Sequence, residues 1–119
     1  MHKLEDLKIW QKSIELAKQV YNLVVMLPSD EKYGLTSQIK RSAVSIPSNI
    51  AEGAGRNSEK EFNYFLGIAN GSAYELQTQL ILITELKLIS ESDIRSSLNL
   101  LTEVQKMNYS LQKSLKEKT

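Results

Sequence analysis

The chain has 119 residues, 41% of them hydrophobic and 24% charged, with five glycines, two prolines, no cysteine and a formal net charge of +1. This is the make-up of a single globular domain spanning 1–119 with a core of its own, and it excludes a disordered chain, a disulfide scaffold and a cysteine-based metal site. Near-neutral charge also excludes the overall basic excess usual in a dedicated nucleic-acid binder, so phosphate recognition would need a local patch or several copies side by side.

The amino terminus, Met1-His2-Lys3-Leu4-Glu5-Asp6, carries acids where a signal peptide needs an apolar core. The aliphatic stretch from Leu23 to Leu27 is far too short to cross a bilayer. A soluble, cytoplasmic protein without membrane contact is expected.

Helix 1 is expected from about Leu4 to Met26. Leu7, Trp10, Ile14, Ala17, Tyr21 and Val24 alternate spacings of three and four, the pattern of a bundle seam. Leu27-Pro28 ends it, because the residue before a proline is pushed out of the helical region. Helix 2 is expected from Ser29 or Asp30, with the seam Leu35, Ile39, Ala43, Ile46 and Ile50. Pro47 lies inside this pattern and is expected to kink it, and Gly53 and Gly55 mark its end. Ser58-Glu59-Lys60-Glu61 has the form of a capping box and opens helix 3, which should reach Leu88, roughly 45 Å away. Helix 4 opens at Ser90 or Ser92 and carries an apolar side of Ile94, Leu98, Leu101, Val104, Met107, Leu111 and Leu115. Short connections between long amphipathic helices make neighbours antiparallel, so the pattern predicts an all-α, up-down-up-down four-helix bundle.

Helix 3 has one charge, Glu75, between Phe62 and Thr84, where a surface helix normally carries a charged stripe. Charge-poor helix faces are typical of interface cores. Gly67, Asn70, Gly71 and Ser72 are therefore candidates for contact with another copy, the small residues allowing a neighbouring helix to come close.

The search for chemistry is largely negative. The single histidine, His2, lies at an end expected to fray, which leaves no base for a nucleophilic triad and no histidine for a di-metal bundle site. Zinc usually needs cysteine or histidine ligands, and no phosphate-binding glycine loop is present. Glu15, Glu52, Glu75 and Glu103 lie one per helix and read as surface or salt-bridged residues. No catalytic residue, metal or cofactor is expected. Ser45, Ser48 and Asn49 flank Pro47 and are expected to satisfy backbone groups that the proline frees. Lys40, Arg41, Arg56 and Lys60 bracket that segment and are the candidate phosphate contacts. The tyrosines at 33, 64, 74 and 109 read as core or interface residues rather than base-stacking platforms, and Trp10, on the helix 1 seam, as core.

Several strings together carry a resemblance. Leu7-x-x-Trp10-Gln11-x-Ser13 opens the first helix, and Tyr33-Gly34-Leu35-x-x-Gln38-Ile39-x-Arg41-Ser42-Ala43 the second. Ser45-Ile46-Pro47-Ser48-Asn49-Ile50-Ala51-Glu52-Gly53 closes the second, and Phe62-x-x-Phe65-Leu66-x-Ile68-Ala69-x-Gly71-Ser72-x-x-Glu75-Leu76 fills the third. They resemble the bacterial four-helix-bundle proteins encoded in 23S rRNA intervening sequences, also called S23-like proteins. The family is similar in turn to the accessory protein of diversity-generating retroelements. The resemblance implies a bundle without enzymatic activity that assembles as a homo-oligomer, typically a pentamer, and Ser45, Pro47, Asn49, Glu52 and Gly53 are the residues of its most specific string. Two functions are expected from this reading: an accessory factor that binds RNA or DNA, and a scaffold for a separate protein partner.

Overall fold

The structure, a computed structural model, describes residues 2–118, the side chain of Lys118 excepted. Four helices follow one another: α1 (Lys8–Val24), α2 (Leu35–Ala54), α3 (Glu59–Glu85) and α4 (Glu91–Lys118). Each packs on its chain neighbours, and α1 also packs on α4, closing a four-sided antiparallel bundle in which α2 and α4 stand on one diagonal. The α2–α3 pairing is the most extensive. The molecule measures 46 × 23 × 20 Å.

The ends of the helices follow local chemistry. Leu7 is extended (φ −82°, ψ 112°), so residues Leu4–Asp6 form a separate 3-10 turn and α1 starts later than the apolar pattern suggests. Ser29–Glu31 likewise forms only a 3-10 turn. Gly34 interrupts the helical dihedrals, and α2 begins at Leu35, whose N–H faces the Glu31 carboxylate at 3.4 Å. Ser58 caps α3 by accepting from the Glu61 N–H at 3.1 Å, and its hydroxyl also donates to the Glu61 carboxylate. Ser90, not Ser92, caps α4 through the Asp93 N–H at 3.3 Å. The C-terminus of α3 closes with Lys87 N–H on the Thr84 carbonyl and Leu88 N–H on the Ile83 carbonyl, both at 2.9 Å. This Schellman arrangement places Lys87 at φ 61°, where glycine is usual.

The core is aliphatic. Leu16, Val20, Ile39, Ile46, Ile50, Leu66, Leu76, Leu80 and Ile83 have no exposed surface. Each such Leu or Ile contributes about 1.5–3 kcal/mol relative to an exposed one. The expected seams of α2 and α4 are the buried ones, with Leu35, Leu98, Met107 and Leu111 at their margins. The seam of α1 differs. The buried track is Ile9, Ser13, Leu16, Val20 and Leu23, while Trp10 and Ala17 lie at the edge and Tyr21 is exposed. Ser13 fits the buried track because its hydroxyl donates to the Trp10 carbonyl at 2.8 Å.

Two further readings change. His2 is not at a loose end: its Nε2 lies 3.4 Å from Glu59 Oε1, and its ring centroid 4.8 Å from that of Phe62. The tyrosines at 33, 64, 74 and 109 are exposed, Tyr33 to 88%, which removes the core half of the core-or-interface expectation. No helix among the described residues is long and apolar enough to cross a membrane.

Candidate nucleic-acid interface

The α2 segment from Ser45 to Gly53 works first as packing chemistry. The helix runs through Pro47, which is buried. Proline lacks an N–H, so the carbonyl four residues back, that of Ala43, loses its usual partner. The nearby amide does not serve that carbonyl. Asn49 Nδ2 donates instead to the Ser45 carbonyl at 2.8 Å and to Ser45 Oγ at 3.0 Å. Ser45 Oγ in turn lies 2.8 Å from Ser72 Oγ, which ties α2 to α3. One turn away, Ser42 Oγ is buried without a hydrogen-bond partner.

Gly53 has a second role beyond stopping the helix. A Cβ at this position would lie 2.7 Å from Phe65 Cβ, 3.0 Å from Phe62 Cδ1 and 3.1 Å from the Phe62 carbonyl oxygen. The α2 backbone therefore lies directly on α3 here, and only glycine leaves the space.

The four candidate cations separate into two pairs. Lys40 and Arg41 lie mid-helix, while Arg56 lies just past the end of α2, roughly 20 Å further along its axis, and Lys60 in the first turn of α3. Arg56 is committed inside the molecule: its guanidinium lies 2.9 Å from Glu52 and 4.0 Å from Glu61, and 4.8 Å above the Phe65 ring. Lys60 is exposed beside the acidic first turn of α3. Among the described residues, Lys40 and Arg41 have no carboxylate partner; Lys40 Nζ sits 5.0 Å over the Tyr21 ring instead. Lys40 and Arg41 share a shallow surface with Ser37, Val44, Ser45 and Tyr21. It offers two cations and the Ser37 hydroxyl as donors for a phosphate, Ser45 being already engaged with Ser72 and Asn49.

The candidate contact residues of α3 also divide. Ser72 is engaged with Ser45, Asn70 is half-buried, and a Cβ on Gly67 would lie 3.6 Å from Gln112 Nε2 of α4. Gly71 has open space above it. Around it runs an exposed, nearly uncharged track of Tyr64, Ile68, Leu82 and Leu86, interrupted by Glu75. Sequence periodicity showed the missing charge but not which edge of the helix stays open.

Of the four mid-helix carboxylates, Glu15, Glu52 and Glu103 pair with Lys18, Arg56 and Lys12 at 3.9, 2.9 and 3.0 Å. Among the described residues, no group of three or more metal-ligating side chains gathers.

The model of the 23S rRNA-intervening sequence protein family matches residues 5–110. A crystal structure of a protein of unknown function from the S23 ribosomal protein family of Bacteroides thetaiotaomicron is 32% identical. It superimposes with a TM-score of 0.82 over 88% of this chain and 95% of that one. No curated protein matches the chain.

Proposed function

The chain belongs to the 23S rRNA-intervening sequence protein family, and from that premise and the geometry above we propose that it is a non-catalytic RNA-binding protein working as an assembly of identical copies. The observation that carries this reading is the adjacent pair Lys40 and Arg41, free of carboxylates on an open, hydroxyl-bearing surface. A net charge of +1 makes one copy a weak binder, and symmetry multiplies the pair. The exposed track of Tyr64, Ile68, Gly71 and Leu82 supports self-association, with five copies as the stoichiometry we propose from the family resemblance. Arg41 is the principal contact, and Arg56, already held by two carboxylates, is secondary.

The test is fluorescence anisotropy against a structured RNA at low and near-physiological salt. Arg41→Ala should weaken binding and flatten its salt dependence by about one unit of slope, and Arg56→Ala should do so less. Equal effects of the two changes, or none from Arg41, would remove the α2 surface. Sedimentation at micromolar concentration tests the assembly: a monomer mass for the wild type, or a Leu82→Asp variant of unchanged mass, would remove it.

A second reading, a scaffold for another protein, is favoured by the exposed tyrosines, since tyrosine is enriched in protein interfaces. A protein that co-purifies after nuclease treatment, together with no RNA binding, would select it.

A further inference from the structure

The outer face of α4 carries a ridge that the cations of α2 do not explain. Lys106, Tyr109, Lys113 and Lys116 follow at spacings of three, four and three, which puts them on one face of the helix. All four are exposed. Tyr109 stands between two contiguous depressions and lines both. One is shared with Tyr74 of α3, Thr102, Gln105, Lys106 and Ser110. The other is shared with Gln112, Lys113, Lys116 and Glu117. Tyr109 is 70% exposed and Tyr74 57%, so both rings are open to the outside.

The charge on this ridge is uncompensated at its centre. Among the described residues neither Lys106 nor Lys113 has a carboxylate partner. Glu103, the nearest acid upstream on α4, is held by Lys12 of α1 at 3.0 Å. Glu117 closes the ridge at its far end, and Glu75 neighbours Tyr74. From Lys106 to Lys116 the ridge is about 15 Å long.

Cations interleaved with exposed aromatic faces suit one class of ligand. A duplex keeps its base faces stacked inside and presents phosphates, sugars and groove edges, so it would use the lysines but give the tyrosine rings no base to stack on. A single strand exposes base faces that stack on aromatic side chains while its backbone follows the positive charge. We propose that the Lys106–Tyr109–Lys113 ridge, with Tyr74 beside it, binds single-stranded RNA, with Tyr109 as the stacking platform. This rests on the RNA-binding reading above and names the form of RNA that one of its surfaces takes.

The experiment compares the full-length protein and its variants against two labelled probes. One is an oligouridylate of about 12 nucleotides, a length within known single-strand site sizes. The other is an RNA duplex of the same length. Tyr109→Ala should weaken oligouridylate binding by about 5- to 150-fold, the range for loss of one base–aromatic stack. Tyr109→Phe, which keeps the ring, should restore it, and neither change should alter duplex binding. Lys106→Ala with Lys113→Ala should weaken the single strand and flatten its salt dependence. If Tyr109→Ala leaves oligouridylate binding intact, or weakens both probes equally, the ridge is not a single-strand site, and sensitivity to Arg41→Ala then shows the broader reading still standing. If the wild type binds neither probe at low salt, both readings fall together.

Discussion

Adding one methyl group at Gly53 sets two known effects against each other. Within a helix, alanine is favoured over glycine by about 0.8–1 kcal/mol, and Gly53 lies in the last turn of α2, so its gain is at most that. Against it stands the contact with α3. The new Cβ would meet Phe65 Cβ at 2.7 Å and the Phe62 carbonyl oxygen at 3.1 Å. Neither obstacle is the free end of a side chain. A carbonyl and a Cβ move only if α3 itself moves, and that would open the most extensive pairing in the bundle. Overpacking of this kind costs about 1–3 kcal/mol, and the rigidity of the obstacles places this case in the upper half. The net expectation for Gly53→Ala is a loss of about 1–2 kcal/mol. Urea unfolding followed by far-ultraviolet circular dichroism should show the midpoint falling by about 0.5–1 M with an unchanged slope. Protein concentration must be held equal, because self-association shifts apparent stability. Gly67→Ala is the control: its Cβ meets only the flexible Gln112 amide at 3.6 Å, and the helix-propensity term should win by about 0.5–1 kcal/mol. If Gly53→Ala is as stable as the parent, or more stable, the close approach of α2 to α3 is not what requires glycine.

Two other substitutions should raise stability. Lys87 holds a left-handed conformation at φ 61° that costs a side-chain-bearing residue about 1–2 kcal/mol, while glycine returns part of the gain through unfolded-state entropy. Lys87→Gly should therefore raise the thermal midpoint by about 2–5 °C, and a fall would mean that the Lys87 side chain makes a stabilising contact. Ser42→Ala removes a buried hydroxyl without a partner, and the denaturation midpoint should rise by an amount equivalent to about 1 kcal/mol; a loss would reveal a partner such as a bound water.

Much of the fold was legible because α2 and α4 each hold one apolar track. Ile39, Ala43, Ile46 and Ile50 have no rival at helical spacing, and all four are fully buried. Helix α1 holds two interleaved tracks. The one through Trp10 and Tyr21 looks more hydrophobic, and the one through Ser13 is buried, since a small side chain that bonds its own backbone suits a close helix contact better than a ring with a polar tip. The start of α2 was misplaced because Ser29-Asp30 is good capping chemistry, but Gly34 breaks the helix that would follow. Gly53 read as a stop signal because Phe62 and Phe65, which give it its packing role, lie across the turn. The tyrosines are aromatic with a polar tip and fit a core edge or an outer face alike, and only the spacing of Tyr109 with Lys106 and Lys113 marks its face as an outer one.

The site was harder to read, for a reason that yields a last prediction. Lys40, Arg41, Arg56 and Lys60 are near in sequence, but a helix spreads them over roughly 20 Å, and the Glu52–Arg56 pair forms even though α2 ends at Ala54. The two surfaces left open, around Arg41 and around Tyr109, lie on the diagonal helices α2 and α4 of a bundle 23 × 20 Å in section. Within one copy they lie on opposite helices of the bundle and share no side chain. Distant sites without shared partners usually add within about 0.3–0.5 kcal/mol. The free-energy losses of Arg41→Ala and Tyr109→Ala should therefore add in the double variant when binding of a structured RNA is measured. Coupling well beyond that margin would mean that a single stretch of RNA touches both, either by wrapping one bundle or by bridging the α2 face of one copy and the α4 ridge of the next. Coupling that disappears in a monomeric Leu82→Asp variant would select the bridge.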